Sequence, residues 1–233
     1  MTPAHLRLDL NPCHSASSGP SDKIASVIAE NDNSPDTGSR TGLRLAKIVT
    51  EVLSPATIVV LLPFAVAWNA TGHKVVATLV WSLVVAAFFS VLPMAFIVSG
   101  ARKGKWDGHW VRERERRAVP LLMCLLSAVV GLVILLVGDA PRDVVALGWS
   151  MIAVLAVCVV ITKWWKVSLH ATVAGGAVAT VILIYGWWAA ALIPLVALVA
   201  WARVRVSDHT AAQVIVGSFL GPVAGGVVFL LLR

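Results

Sequence analysis

Apolar residues in this chain are collected into long runs rather than spread along it. Seven runs separated by short polar stretches cover approximately residues 48–68, 75–99, 120–138, 144–162, 168–185, 189–201 and 214–233. Helical runs of roughly 17–25 apolar residues match the thickness of the hydrocarbon core of a bilayer. The runs lack the alternation of a membrane β-barrel, and helices satisfy their own backbone hydrogen bonds in lipid. The pattern therefore predicts an all-α fold, a polytopic membrane helix bundle of six to seven spans.

Two short features refine this prediction. Pro120 is expected in the first turn of the third helix, where its missing N–H would have no partner in any case. Gly186, followed by the pair Trp187–Trp188, indicates a tight hairpin at a membrane interface, where tryptophan is favoured. The hairpin is the least secure boundary because both of its helices are short, and it separates the six-span from the seven-span alternative.

The composition is typical of a membrane protein, except in the N-terminal residues, which are polar. The chain of 233 residues is 58% hydrophobic and 13% charged, whereas soluble domains carry about 25% charged residues. Residues 1–42 are rich in Ser, Asp, Asn, Pro and Gly and contain no apolar segment, so we predict a disordered polar tail before a transmembrane domain at 43–233. Cys13, Cys124 and Cys158 show no disulfide framework or metal-ligand spacing.

The positive charges are distributed unevenly between the two ends of the predicted bundle. Seven spans place the tail, the loop 101–117, the break 163–166 and the stretch 202–213 on one side. That side holds 16 of the 19 Lys and Arg residues, which predicts that it is cytoplasmic and that the protein lies in the plasma membrane. The net charge is +7, but the basic residues lie beside apolar runs. This favours anionic lipid or a phosphorylated substrate, not nucleic acid, as the partner.

Two histidines on this side are candidates for chemistry. His170 and His209 each begin a predicted membrane helix, whose free N–H groups and dipole attract anions. Arg203 and the basic segment Lys105–Arg117 lie on the same side, and guanidinium groups bind phosphoryl oxygens in bidentate fashion. One histidine could attack or deprotonate while the other protonates a leaving oxygen. His109 is a third candidate, in a charged loop.

A simpler interpretation exists for each of these residues taken singly. Arginines beside membrane spans usually determine topology, and a lone histidine at the end of a span is usually an interfacial residue. The functional interpretation gains weight because both histidines and the arginines share one face of the bundle.

Three motifs on this face resemble those of the type 2 phosphatidic acid phosphatase superfamily, which are K-x6-R-P, P-S-G-H and S-R-x5-H-x3-D. Arg203 and His209 have the spacing of the third motif, and Ser168 and His170 match the Ser and His of the second. The resemblance covers roughly residues 100–225. It implies that His209 is a nucleophile forming a phosphohistidine, that His170 protonates the leaving alkoxide, and that Ser168 and Arg203 contact phosphoryl oxygens. It also implies that the site uses no metal and no cofactor.

The chain departs from the family pattern at several positions. Ala202 replaces the Ser of the third motif, and Val167 and Leu169 replace the Pro and Gly of the second. Gln213 occupies the position of the Asp that orients the nucleophile; its carbonyl could accept the imidazole N–H but supplies no charge. Asp208 is expected to cap the last helix, with an alternative role in replacing some of that charge.

The first motif leaves two pairs of phosphate ligands open. We prefer Arg114 and Arg117, which lie just before Pro120, and the alternative pair is Lys105 and Arg112. Lys166 is a further candidate for binding phosphate.

The predicted function is hydrolysis of a phosphomonoester of a phospholipid or polyprenyl phosphate by a membrane lipid phosphatase. The alternative is a non-catalytic multi-pass protein, either a transporter or a lipid-binding scaffold. The substrate lipid and the oligomeric state do not follow from the sequence.

Overall fold

Helices form throughout the part of the chain that the structure describes. The computed structural model describes the backbone of residues 37–102 and 115–233, with side chains within 40–100 and 121–233. In these ranges there are ten α-helices and no β-strand, so the all-α prediction is confirmed. The helices are α1 Thr37–Val52, α2 Pro55–Ala70, α3 Val75–Ala86, α4 Leu92–Arg102, α5 Glu115–Val137, α6 Arg142–Thr162, α7 Leu169–Tyr185, α8 Ile193–Arg205, α9 Ala211–Leu220 and α10 Val227–Leu232.

Three further segments continue these helices. A π-helical segment, Ala87–Val91, joins α3 to α4, and a second, Gly221–Gly226, joins α9 to α10. A 3-10 segment, Trp187–Leu192, precedes α8. The residues from Thr41 to Arg233 cluster into one compact unit.

Several helices are long and apolar enough to cross a membrane, as expected of an integral membrane protein. Among the described residues there are four such helices, and five if α1 and α2 together form one bent span. The four are Val75–Gly100, Arg142–Thr162, Trp187–Arg205 and Ala211–Leu232. Two shorter apolar stretches remain: Leu121–Val137, which is part of the longer α5, and Leu169–Tyr185. The second, α7, is about 25 Å long, less than the roughly 30 Å hydrocarbon core. The predicted count of six to seven spans is therefore not confirmed.

Two predicted boundaries are wrong. The first apolar run is not one helix, because α1 ends at Val52 and α2 begins at Pro55, with a bend of 47° between them. Ser54 caps α2 by accepting a hydrogen bond from the Thr57 N–H, so the break is built into the sequence. α5 begins at Glu115, which leaves Pro120 beyond the first turn where it was expected.

The apolar core lies at the end of the bundle that holds the turns after α2, α5 and α7. Eight fully buried residues form it: Val66, Ala67, Val85, Leu135, Val144, Ala146, Leu147 and Phe229. The Tyr185 hydroxyl donates to the Ala65 carbonyl at 2.7 Å and ties α7 to α2. α7 ends at the predicted hairpin, where Gly186 has a φ of 93° that favours glycine. This end of the bundle is well packed.

Close approach of α7 to α9 fixes the start of α7 at the opposite end of the bundle. A methyl group added to Gly217 would lie 2.8 Å from the Ser168 carbonyl oxygen, and one added to Gly221 would clash with the Thr172 carbonyl. Only glycine permits this separation. The two helices therefore hold Ser168 and the residues after it against the beginning of α9.

Candidate functional site

A tight turn between α8 and α9 brings Arg203 and His209 together. α8 ends at Arg205, and Ser207 has a φ of 61°, which reverses the chain. Thr210 then starts α9 with a capping box: its side chain accepts from the Gln213 N–H, and the Gln213 side chain accepts from the Thr210 N–H. The turn is short, so the last turn of α8 faces the residues that precede α9.

Arg203 is the centre of the polar cluster at this end. Its side chain is 10% exposed, and its Nη2 atom lies 2.9 Å from Asp208 Oδ2. The same Nη2 atom is 3.4 Å from His209 Nδ1. Asp208 is itself half exposed, so the pair joins a buried cation to a carboxylate at the surface. The Arg203 guanidinium is thereby held beside the imidazole of His209.

These contacts indicate which ring nitrogen of His209 carries the proton. A guanidinium group has donors only, so Nδ1 must accept and the ring proton lies on Nε2. His209 also makes a hydrogen bond to the backbone of Val167. That bond favours the protonated ring, as a carbonyl acceptor does, and we assign Nε2–H as its donor. The lone pair on Nδ1 consequently faces Arg203.

The electrostatic environment keeps His209 neutral. Partial burial, followed by the charges of Lys166 and Arg203, lowers the pKa of His209 to about 4. Asp208 opposes this shift. Lys166 reaches the loop directly, since its Nζ donates to the Asp208 carbonyl. A neutral imidazole at physiological pH is the nucleophilic form.

His170 is the second histidine of the cluster. It lies near the start of α7, interacts electrostatically with Arg203, His209 and Asp208, and makes a hydrogen bond to the backbone of Thr50. The predicted pair of histidines is thus brought together, with α1 supporting His170. Thr50 was missed by sequence reasoning, and no motif in α1 would have indicated it.

Polar atoms without partners are concentrated around these histidines. Buried polar side chains are almost always hydrogen-bonded. Among the described residues four buried side-chain atoms have no hydrogen-bond partner: Thr50 Oγ1, Ser82 Oγ, Ser168 Oγ and Arg203 Nε. Three of the four belong to residues in the cluster or supporting it. Ser168 precedes α7 as its N-cap residue, yet its hydroxyl makes no cap hydrogen bond. The Ser168 hydroxyl and the Arg203 Nε–H therefore make no hydrogen bond within the described chain.

Gln213 is engaged elsewhere. Its side-chain oxygen accepts from the Thr210 N–H at 3.2 Å, so in this structure the carbonyl expected to orient His209 caps α9 instead. The backbone of Val167, instead of Gln213, makes the hydrogen bond to the His209 ring. The expectation that Asp208 caps the last helix is wrong, because Thr210 is the N-cap and Asp208 pairs with Arg203. The spacing T-x-x-Q is a recognised helix-start signature and could have revealed the role of Gln213.

The basic segment before α5 is the part of the predicted site that the structure leaves open. Lys105, His109, Arg112 and Arg114 lie outside the described residues. Arg117 belongs to the first turn of α5, but its side chain is also outside them. Which basic residues of this segment bind phosphate stays a prediction.

An apolar cavity of about 510 Å³ adjoins the polar cluster. It lies among α2, α4, α5, α6 and α7, and its walls are mostly apolar side chains such as Ile58, Met94, Leu121 and Leu147. His170 lines the same cavity and also faces the polar cluster. The arrangement offers one polar end and one apolar compartment to a single ligand.

The comparisons with known proteins add no relative. The chain matches no protein-family model, and neither a curated protein nor a solved structure shows significant similarity to it. Within the described ranges, no three His, Cys, Asp or Glu side chains are grouped so that they could hold a metal ion. The geometry of the cluster is therefore the guide to function.

Proposed function

We propose that this protein is a membrane lipid-phosphate phosphatase that hydrolyses a phosphomonoester through a phosphohistidine on His209. The observation that carries the proposal is a pair of buried polar atoms without hydrogen-bond partners: Arg203 Nε, on the side chain that contacts His209, and Ser168 Oγ, two residues before His170. An apolar cavity beside the cluster supports a lipid rather than a soluble phosphate ester as the substrate.

Binding is the first step of the mechanism. Arg203 and Ser168 donate to phosphoryl oxygens, with Lys166 adding positive charge. The tail occupies the cavity lined by His170. Phosphoryl transfer requires mainly positioning and charge stabilisation, which these side chains provide. The distribution of Arg and Lys supports a site on the cytoplasmic side of the plasma membrane.

The two histidines then divide the chemistry. The Arg203 Nη2–H turns from His209 Nδ1 to a phosphoryl oxygen, and the freed Nδ1 lone pair attacks phosphorus. The bond between phosphorus and the alkyl oxygen breaks, and His170, which has taken up the proton of the bound phosphate monoanion, gives that proton to the departing alkoxide. The Nε2–H, held by the Val167 backbone, stabilises the charge that develops on the ring. Water next attacks phosphorus while His170 accepts its proton, the P–N bond breaks, and inorganic phosphate leaves. The products are a lipid alcohol and phosphate.

A second candidate is a non-catalytic protein that binds lipid phosphates with the same cluster. The observation that favours it is the engagement of Gln213 in the helix cap, which leaves its side chain unable to accept the ring N–H of His209. Such a protein would bind lipid phosphates without releasing phosphate.

Phosphate release distinguishes the two candidates. The full chain, purified in detergent, is given phosphatidic acid, phosphatidylglycerol phosphate and a polyprenyl phosphate in turn. We expect release from at least one lipid, and loss of that release in His209→Ala. The matched control is His73→Asn, because His73 is an exposed histidine in a turn with a φ of 66° that asparagine tolerates. Binding without release from any lipid would favour the second candidate, and equal release by His209→Ala would contradict the first.

A further inference from the structure

α1 presents three different strips of side chains. Ala46 and Thr50 face the protein, since Ala46 is fully buried and the Thr50 backbone holds His170. A second strip at spacing i, i+3, i+7 is apolar and exposed: Leu45, Ile48 and Val52 are 52%, 57% and 59% accessible. A third strip at the same spacing, shifted by one residue, is charged and exposed: Arg44, Lys47 and Glu51. A shift of one residue turns a helix by about 100°, so the two exposed strips face different directions.

No single surrounding medium suits both exposed strips. In water, the apolar strip would stay exposed and would lose the free energy that its burial provides. The charged strip would cost about 2.5–3.5 kcal/mol for each Arg or Lys at the centre of a bilayer. Both strips are satisfied only at the boundary between acyl chains and headgroups, where amphipathic helices lie. The 47° bend after Val52 allows α1 to leave the direction of α2.

We propose that α1 is an interfacial helix that binds anionic lipid headgroups through Arg44 and Lys47. Leu45, Ile48 and Val52 lie in the acyl boundary of the same leaflet. Charge decides the class of lipid, because two cations and one carboxylate leave the exposed strip positive. Arg205 of α8 adds a cation at the same end, and a methyl group added to Gly42 would lie 3.7 Å from its guanidinium. This surface is independent of the proposed catalysis.

Depth measurements on the full chain in nanodiscs test the proposal. Spin labels are attached one at a time to Arg44→Cys, Leu45→Cys, Lys47→Cys, Ile48→Cys and Val52→Cys, in a background of Cys13→Ala, Cys124→Ala and Cys158→Ala. Collision with oxygen reports acyl chains, and collision with a water-soluble nickel chelate reports the aqueous side. We expect oxygen to dominate at positions 45, 48 and 52 and nickel at 44 and 47. Oxygen at all five positions, nickel at all five, or close pairs of labels between two copies would overturn the proposal.

Lipid selectivity tests the charged strip separately. Enrichment of phosphatidylglycerol over phosphatidylcholine around the protein is measured with spin-labelled lipids in mixed nanodiscs. Loss of one cation near an anionic surface is expected to reduce the enrichment by up to about fivefold in Lys47→Gln. The matched control is Lys74→Gln, which removes an exposed lysine from the turn between α2 and α3. Equal enrichment in Lys47→Gln and the parent protein would contradict the assignment of headgroup binding to this strip.

Discussion

The two ends of the helix bundle hold arginine in different ways. At the end with the apolar core, Arg233 donates to the Leu183 carbonyl, lies 3.8 Å from Asp143 Oδ2 and has its guanidinium 5.6 Å from the centre of the Phe229 ring. At the other end, Arg203 is more deeply buried, yet its Nε has no partner in the described chain. Arg233 is held by contacts at its own end of the fold, whereas Arg203, although paired with Asp208, retains an N–H without an acceptor in the described chain. This difference distinguishes an arginine that stabilises the fold from one that is a candidate for binding a ligand.

The largest difference between the two ends is expected when each arginine is replaced by alanine. Arg203→Ala removes a donor to the phosphoryl group, so we expect kcat/KM for lipid phosphate to fall by about 10²–10³-fold. The loss of stability should be at most about 1 kcal/mol, because the ion-pair partner Asp208 is half exposed. Arg233→Ala loses a hydrogen bond and a cation–π contact, at about 1–2 kcal/mol of stability, and keeps its activity. Phosphate release and thermal unfolding in detergent measure both effects. Loss of stability but not activity in Arg203→Ala, together with loss of activity but not stability in Arg233→Ala, would contradict the comparison.

Two serines differ in the same way as the two arginines. The Ser168 hydroxyl is buried and unpartnered, whereas the Ser218 hydroxyl donates to the Val214 carbonyl at 2.9 Å. Ser168→Ala should lower kcat/KM by about 10-fold and leave stability equal or raised by about 1 kcal/mol, since no bond within the protein is lost. Ser218→Ala should cost stability but not activity. A large loss of stability in Ser168→Ala would show that its hydroxyl has a structural partner.

The pH dependence tests the electrostatic cause. Protonated His209 has no lone pair on Nδ1, so kcat/KM should fall as pH drops through its pKa of about 4, below the ordinary 6.5. Lys166→Met removes a like charge, which should raise this pKa and move the acid limb to higher pH. Lys163→Met, in an exposed position three residues earlier, should leave the limb in place. An unmoved limb in Lys166→Met would contradict the role of Lys166.

The smallest effect is expected at Gln213. Because its side chain caps α9, Gln213→Ala should cost about 0.5–1 kcal/mol of stability and change the rate by less than about threefold. Gln213→Asp should retain activity or increase it, since a carboxylate also suits the first turn of a helix. Thermal unfolding and phosphate release are measured on both variants. Complete loss of activity in Gln213→Asp would show that the amide has a role beyond the cap.

Periodicity and composition predicted the helical fold, because apolar runs of this length have few alternatives in lipid. They did not predict the break at Ser54, where a local cap and Pro55 compete with a continuous apolar run. The number of spans is equally hard to infer, since helices of 17 residues fall close to the thickness of the membrane core. A boundary that moves by a few residues decides whether such a helix is long enough to cross the membrane.

The site was predictable where residues are close in sequence and unpredictable where contacts are distant. Arg203 and His209 share one turn, so their spacing predicted their proximity. Thr50 contacts His170 across more than 100 positions, and the backbone of Val167 carries no side-chain signal. The pairing of Asp208 with Arg203 depends on the reversal at Ser207, whose positive φ the sequence does not indicate. Tertiary contacts and backbone groups therefore account for what was missed.

Direct capture of the phosphoenzyme tests whether His209 is the nucleophile. The full chain is mixed with ³²P-labelled lipid phosphate, quenched in alkali within one turnover and digested, and the labelled peptide is identified. We predict an alkali-stable, acid-labile phosphoryl group on Nδ1 of His209, and none in His209→Ala. Phosphate release without any labelled histidine, or label on another residue, would contradict the account.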